Sequence, residues 1–357
     1  MTNPVVDGLT IEPTSTILLT CMRKEFLWAG IIGITFGLVL AFGAWRVKST
    51  VTTKSISAPS PTPQAEIGKN RITLNKPRNL DVITASPYTI SGITKSSSWI
   101  VISVGGTDYL TKSETDGSFS VEIKPEAGIN QIKATSLNDQ GGTSTQEVLA
   151  VYSPSFQPES QTDETSDQES EIDSDVSLKL AEAENPPKAY IGTVTDIADS
   201  TIQIKSTDSQ IQQIATNKYD IDAVDTKGSA NKSIKLTDIG IGDYIIAMGY
   251  VNGNDVLNAK RILISNALTD TQITVSVQKV ESVNKKSLTL SSPSGGEATT
   301  LTPDKNTKIR SFSDDGLKNI KISDIYASDT VITVLDTTGA PPLSRAVFNI
   351  EHKSKED

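Results

Sequence analysis

The sequence IKLTDIGIGDYIIAMGY at residues 234–250 returns as IKISDIYASDTVITVLD at residues 320–336, and this repetition decides the fold of the C-terminal half. The same offset of 86 residues aligns two earlier blocks, at residues 194–204 and 280–290. An offset that is kept without gaps through separated blocks indicates a duplication. We therefore expect two copies of one unit of about 78 residues.

Both copies have the pattern of short β-strands rather than helices. Ile202 and Ile204 flank Gln203, and Thr207-Asp208-Ser209 supplies a turn. Five or so short strands in fewer than 80 residues are typical of a small closed or nearly closed barrel of the OB type. The sequence thus predicts OB-like barrels at residues 189–266 and 274–352.

Three motifs mark the first copy: GTVTDI at residues 192–197, LTDIGIGDYI at 236–245 and LNAKRI at 257–262. With these motifs the copies resemble an uncharacterised bacterial envelope domain that often occurs in tandem. That family has no assigned activity, so the resemblance implies a fold and no chemistry.

The second copy departs from these motifs at three points. Gln278 replaces the opening glycine, Ser328 replaces the glycine before Asp329, and Pro341-Pro342 interrupts the last hairpin. Any site that depends on those glycines is therefore not expected in the second copy.

Residues 70–152 alternate apolar runs and turn residues about every ten positions, which favours a β-sandwich. The run WIVI at residues 99–102 is typical of a central strand, and the segment from Phe119 to Ile123 alternates apolar and polar side chains. Asp116-Gly117 and Gly141-Gly142 supply turns.

Four short pieces of this segment are shared with a known family: Ser91-Gly92, DGSF at residues 116–119, GIN at 128–130 and DQGGTS at 139–144. On these pieces the segment resembles a bacterial immunoglobulin-like domain of the kind repeated in surface proteins. The resemblance implies a spacer or binding unit that lies outside the cell.

Two segments have the composition of linkers. Residues 46–69 are rich in Ser, Thr and Pro, as in an extended stalk. Residues 153–188 form an acidic segment that we expect to be disordered. The chain has a net charge of −10, and ten acidic residues and one basic residue lie between residues 155 and 187. The acidity therefore belongs to this linker and says little about the folded units.

A further segment, FLWAGIIGITFGLVLAFGAW at residues 26–45, holds twenty residues without a charged side chain. As a helix it would span roughly 30 Å, the thickness of a bilayer core. The sequence predicts a single N-terminal transmembrane helix, an uncleaved signal anchor after a short cytoplasmic tail at residues 1–25. We expect a single-pass protein of the cell membrane with an extracytoplasmic body, although the flanking charges alone do not fix the orientation.

Small residues recur every four positions in this predicted helix and would form one face. The expected helix-packing face, through which the chain could form a homodimer, consists of Ala29, Gly33, Gly37 and Ala41.

Residues suited to catalysis are few. His352 is the only histidine and Cys21 the only cysteine, so the sequence offers no Ser-His-Asp triad and no Cys-rich or His-rich metal site. Asp220, Asp222 and Asp225 are the densest carboxylates in a predicted folded unit, and a polar loop accounts for them. We expect no catalytic, cofactor-binding or metal-binding residues, no cofactor and no enzymatic activity.

Charge also weighs against nucleic acid as a partner. Residues 189–266 carry nine acidic and seven basic side chains, and residues 274–352 carry nine of each, so neither copy offers a positive groove. The sequence favours a membrane-anchored structural or adhesion protein that presents β-modules in the cell envelope to a protein or cell-wall polymer. The alternative is a cell-wall or carbohydrate-binding protein that acts through the barrels or the immunoglobulin-like unit.

Overall fold

The computed structural model describes residues 71–156, 185–228, 230–313 and 316–351. Every regular element in these ranges is a β-strand, apart from two 3-10 turns of three residues each. None of the described elements is a helix with the length and apolarity that a membrane span needs.

For the described residues, the expected fold class of β-modules on a transmembrane helix is corrected to an all-β architecture, and the expected single-pass membrane location is corrected with it, since none of these residues forms a helix that could span a membrane. The segment at residues 26–45 lies outside the described residues. The same is true of its expected packing face, Ala29, Gly33, Gly37 and Ala41.

The N-terminal module, residues 71–156, contains two antiparallel layers. The smaller sheet has the order β1-β3-β6, and the larger has the order β2-β8-β7-β4-β5, in which only the β2–β8 pair is parallel. The strands are β1 (Thr73–Lys76), β2 (Asp81–Ile83), β3 (Tyr88–Ile93), β4 (Trp99–Val104), β5 (Thr107–Lys112), β6 (Ser118–Ile123), β7 (Gly128–Leu137) and β8 (Thr143–Tyr152).

The predicted central strand is confirmed as β4, in which all six residues are buried. Its even-numbered side chains, such as Ile100 and Ile102, enter the core between the two layers. Trp99 and Val101 point to the opposite face and are buried as well. Because successive side chains of a strand alternate between faces, something must cover the second face of this sheet.

The first repeat, residues 188–265, closes into a ring. The order β9-β10-β11-β15-β14 returns to β9, and β11 joins β15 in parallel. Its elements are β9 (Lys188–Ala198), β10 (Thr201–Ser206), β11 (Ile211–Ala215), β12 (Asp222–Asp225), β13 (Lys232–Ser233), the turn Leu236–Asp238, β14 (Tyr244–Val251) and β15 (Val256–Ser265).

The second repeat, residues 273–351, has the same order of elements and does not close. The strand β18 pairs with β17, and no ladder joins it to β22 among the described residues. Its elements are β16 (Ile273–Val283), β17 (Leu288–Ser291), β18 (Thr299–Leu301), β19 (Lys308–Ser313), β20 (Gly316–Asn319), the turn Ile322–Asp324, β21 (Thr330–Asp336) and β22 (Leu343–Glu351).

The gapless offset of 86 holds as far as β21 and then fails in the last hairpin. Ile246 pairs with Leu263, whereas its counterpart Ile332 pairs with Phe348, so the final strand follows an offset of 85. In this register Pro341 and Pro342 are the counterparts of Val256 and Leu257. In the first repeat those two residues pair with β11. Proline has no N–H to donate to a neighbouring strand, which explains the missing ladder in the second repeat. The expectation of two barrels is corrected to one closed ring and one open sheet.

Gly192 allows the β9–β10 ladder to extend one pair further than its counterpart in the second repeat. A Cβ at this position would lie 2.3 Å from the carbonyl oxygen of Lys205, so only glycine permits this approach of β9 and β10. There the ladder extends to the pair Ser206–Gly192. Gln278 occupies the equivalent position in the second repeat, and its ladder ends at Lys279.

The modules are joined by backbone pairing as well as by packing. In β2, Asp81 pairs with Ala150 of β8 on one side and with Lys188 of β9 on the other, so one sheet runs from the N-terminal module into the first repeat. Lys188 Nζ lies 2.6 Å from Asp81 Oδ1 across this junction.

Both repeats pack against the larger sheet of the N-terminal module, on the face that points away from the sandwich core. The first repeat uses Ile246 and Leu263 against Val151. The second repeat uses Ile332 and Phe348, the structural counterparts of Ile246 and Leu263. The equivalent face of each copy therefore covers one end of the same sheet.

The three modules share apolar cores in addition to their own. The second repeat folds back so that Trp99, Val101, Leu110 and Leu137 of the N-terminal module lie in one core with its own residues. Trp99 meets Phe312 edge to face, with ring centroids 4.9 Å apart. Burying each such side chain stabilises the packed arrangement by roughly 1.5–3 kcal/mol.

Candidate functional site at the module junction

The candidate site is a cavity of about 470 Å³ where the N-terminal module, the first repeat and the connector at residues 266–272 meet; we call it the junction pocket. Its wall is built from the start of β7, the residues that follow β8, the second half of β15 and the connector. Ligand pockets commonly have volumes of 300–1,000 Å³, so the cavity is large enough for a small organic group.

Local sequence shapes the wall contributed by the N-terminal module. Asn130 accepts a hydrogen bond from the N–H of Glu126 at 2.9 Å and donates to the carbonyls of Glu126 and Gly128, which fixes the loop that enters β7. Gly128 has a φ of +95°, a conformation that glycine adopts without strain.

The connector is fixed by one side chain of β7. Gln131 donates to Asp270 Oδ1 at 3.1 Å and accepts from the Thr271 hydroxyl at 2.9 Å. On the far side of the connector lies a smaller cavity of about 180 Å³, which Ser103, Lys133 and Arg345 help to line. The connector therefore separates two cavities on one face of the sheet.

Hydroxyl and amide groups dominate the polar part of the junction pocket, above an apolar floor formed by Ile246 and Leu263. Such groups both donate and accept hydrogen bonds. The neutral polar side chains are Tyr152, Ser153, Ser155, Thr226, Asn231, Ser265, Asn266 and Thr269.

Arg261 is the one charged side chain among the described residues that line the pocket, and no carboxylate lines it there. Its Nη1 donates to Asp222 Oδ2, and the two residues are direct neighbours in the parallel pair β12–β15. The Arg261 side chain is 13% exposed and that of Asp222 is 52% exposed. The Nε of Arg261 is buried and has no hydrogen-bond partner in the described structure.

The structure does not bring the predicted aspartates together as an acid-base pair. Asp222 binds Arg261, and Asp225 accepts a hydrogen bond from the backbone N–H of Lys227 at 2.9 Å. Asp220 makes no side-chain hydrogen bond that the described structure records, and His352 lies outside the described residues. Where groups of three or more His, Cys, Asp or Glu side chains were sought in the described ranges, none could hold a metal ion.

Several carboxylates have lowered pKa values, and each has a local cause. Hydrogen bonds from Ser118 lower the pKa of Asp116, and one from Ser206 lowers that of Asp208. The Lys227 ammonium and the N–H of Gly240 lower the pKa of Asp243. These groups stay ionised and stabilise turns, whereas a general acid at neutral pH needs a raised pKa.

Sequence reasoning missed Arg261 and Gln131 as site residues. Arg261 was visible within the motif LNAKRI, and its counterpart in the second repeat is Ala346. No signal marks Gln131, because its partners in the connector are about 140 residues distant in the chain.

No protein-family model and no curated protein matches this chain. Among solved structures, the chain is similar to a tetra-tandem repeat from the extending region of a large adhesion protein, with 12% identity, a TM-score of 0.20 and coverage of 78% of this chain and 73% of that one. A second similar structure concerns host cell surface retention of a 1.5-MDa bacterial ice-binding adhesin, with 13% identity, a TM-score of 0.18 and coverage of 80% and 98%.

A third similar structure is a Ca²⁺-stabilised adhesin that helps an Antarctic bacterium to reach out and bind ice, with 15% identity, a TM-score of 0.18 and coverage of 80% and 74%. All three are parts of adhesion proteins. TM-scores this low do not establish a common fold.

Proposed function

We propose that this chain is a non-enzymatic interaction protein of the adhesive kind, in which three β-modules act as one body that binds a protein or polymer partner. The solved structures described above are also parts of adhesion proteins, and the proposal is of the same class. Nucleic acid is not among the proposed partners, because the acidic and basic side chains of the repeats nearly balance.

The observation that carries this proposal is the docking of both repeats onto one sheet through equivalent apolar faces. The apolar faces of both repeats are buried against the N-terminal module and are not exposed between mobile modules. A body of this kind holds its outer surfaces in fixed positions, which lowers the entropy cost of binding a partner.

Most of the described carboxylates with lowered pKa values owe these shifts to local hydrogen bonds in turns. Asp304 and Asp336, like Asp116 and Asp208, have lowered pKa values because hydrogen bonds within their own loops stabilise the charged form.

A second candidate function is the binding of a carbohydrate polymer, and the junction pocket favours it. Sugar hydroxyls match a wall of hydroxyl and amide groups, and the apolar floor suits the C–H face of a sugar ring. This candidate differs from the first in the chemistry of the partner rather than in the kind of activity.

A paired screen of the full chain tests the proposal. One arm measures binding to a glycan array and to peptidoglycan, and the other recovers protein partners by crosslinking in the producing cells. We expect saturable binding in at least one arm, and its loss when the chain is unfolded by heat. Turnover of an ester, glycoside or phosphate substrate panel, without binding in either arm, would contradict the proposal.

A further inference from the structure

We propose that the junction pocket binds an acidic saccharide unit, meaning a sugar that carries a carboxylate, and that Arg261 receives this carboxylate. The inference rests on the proposed function, since it names the class of ligand that the interaction protein takes at this site.

The size and wall of the pocket point to a hydroxylated ligand. A volume of about 470 Å³ holds one or two sugar rings. Donors and acceptors come from the N-terminal module at Ser153 and Ser155, from the first repeat at Ser265, and from the connector at Asn266. A ligand with hydroxyl groups on several sides of a ring can bond to all three surfaces at once.

The charge of the pocket points to an acid among such ligands. Arg261 is the one charged side chain in the described lining, and the Asp222 carboxylate that pairs with it lies outside that lining. Asp222 engages only Nη1 and is itself half exposed, so the ion pair leaves the buried Nε–H without an acceptor. The recorded ion pair uses one of the five N–H groups of the guanidinium, and a carboxylate in the pocket would accept a charge-assisted bond from another.

The second repeat provides an internal comparison. It docks through the counterpart face, yet Ala346 stands where Arg261 stands in the first repeat. Asp222 is likewise replaced by Lys308, which pairs with Ala346 in the sheet. The arginine is therefore not required for docking a repeat, which leaves it available for a ligand.

Isothermal titration of the full chain with matched oligosaccharides tests the inference. The probes are di- and trisaccharides of galacturonate or glucuronate and their neutral galactose or glucose counterparts. We expect the acidic probes to bind about tenfold or more tightly than the neutral ones, and this preference to shrink as salt rises from about 0.05 to 0.5 M. The Arg261→Gln variant should lose the preference for the acid while it keeps the weaker binding of the neutral sugar.

Two further variants keep the result interpretable. Lys260→Gln removes the same charge one residue away, on a side chain that lies over the Tyr219 ring, and should bind like the parent. Ala267→Trp adds bulk at an exposed position of the pocket lining, leaves Arg261 in place and should abolish binding of both probes. If thermal unfolding shows that Arg261→Gln does not fold, Ala267→Trp still tests whether the probes bind in the junction pocket.

Three results would overturn the inference: no binding of either probe, equal binding of acidic and neutral probes, or unchanged acid binding by Ala267→Trp. If protein partners are still recovered by crosslinking in those cases, the proposed function stands and only the ligand class falls. If neither saccharide nor protein is bound, both fall together.

Discussion

Arg345 binds Asp108 in a bidentate ion pair, with Nε 3.1 Å from Oδ2 and Nη2 3.1 Å from Oδ1, although 237 residues separate them in the chain. The same guanidinium donates to the carbonyl of Gly105 at 2.9 Å. The Asp108 side chain is only 3% exposed. One contact thus fixes β22 to the hairpin of β4 and β5 in the N-terminal module.

Removal of the arginine should destabilise the whole body. We expect Arg345→Met to lower the free energy of unfolding by about 3 kcal/mol, because the Asp108 carboxylate stays buried without its partner. The double variant Asp108→Leu, Arg345→Met should lose less, since no charge is then left buried. Urea unfolding of the parent, both single variants and the double variant measures the coupling. A single-variant loss below about 0.5 kcal/mol would show that the pair does not hold the modules together.

Gly192 should tolerate no larger residue. Gly192→Ala would place a Cβ 2.3 Å from the Lys205 carbonyl oxygen, so β9 and β10 must separate and we expect a loss of about 3 kcal/mol. Gly253→Ala is the matched control, because a Cβ there meets no atom within 4 Å and the backbone is not in the left-handed region. Thermal unfolding should place the control within about 0.5 kcal/mol of the parent. Equal effects of the two substitutions would contradict the steric explanation.

Ser103 should be replaceable with a gain in stability. Its hydroxyl is buried, and no described residue supplies a hydrogen-bond partner. We therefore expect Ser103→Ala to raise the free energy of unfolding by about 1 kcal/mol.

Ser113 provides the opposite case for comparison. Its Oγ accepts from the N–H of Ser98 at 2.8 Å and donates to the carbonyl of Lys95 at 2.7 Å, so Ser113→Ala should cost about 1–2 kcal/mol. Denaturant titration of both variants gives the comparison. A loss on Ser103→Ala would mean that this hydroxyl has a partner in solution.

Asp243 should make part of the stability dependent on pH. Lys227 Nζ lies 2.7 Å from Oδ1, and the N–H of Gly240 donates to Oδ2 at 2.9 Å, so the pKa is lowered from its ordinary value of 3.8. A lowered folded-state pKa stabilises the fold above the unfolded-state pKa, and this contribution disappears as the pH falls through the folded-state pKa.

We therefore expect Asp243→Asn to melt below the parent at pH 7, and the difference to narrow once the pH falls below 3.8. Asp139→Asn, at an exposed turn position without a recorded side-chain hydrogen bond, should follow the parent throughout. Melting temperatures of the three proteins between about pH 2.5 and 7 provide the measurement. A difference for Asp243→Asn that stays constant with pH would contradict the assignment.

The local structure of this chain could be predicted to a large degree. The run at residues 99–102 is a central strand, Gly117 and Gly141 form turns with positive φ, and the element order repeats at the expected offset. Side-chain periodicity and turn residues act over short distances, so the sequence displays them directly. The slip to an offset of 85 in the last hairpin was not visible, although the two prolines that accompany it were.

The candidate site could not be predicted, because its residues come from three separate segments. Arg261, Ser155 and Asn266 meet only after two modules have packed together. The apolar odd-numbered positions of β4 indicated that a second surface covers the sheet, but the sequence of β4 does not identify that surface as the second repeat.

By itself the sequence determined the strands, the turns and the duplication, since these depend on the pattern of neighbouring residues. Only the tertiary structure decided that the first repeat closes while the second stays open, and that both dock on one sheet instead of extending from it. The physical reason is that the hydrophobic effect is non-directional, so an apolar pattern does not specify which surfaces pack together. Closure of a repeat depends on Gly192 and Pro342, whereas the choice of packed faces depends on shape and on distant pairs such as Arg345 with Asp108.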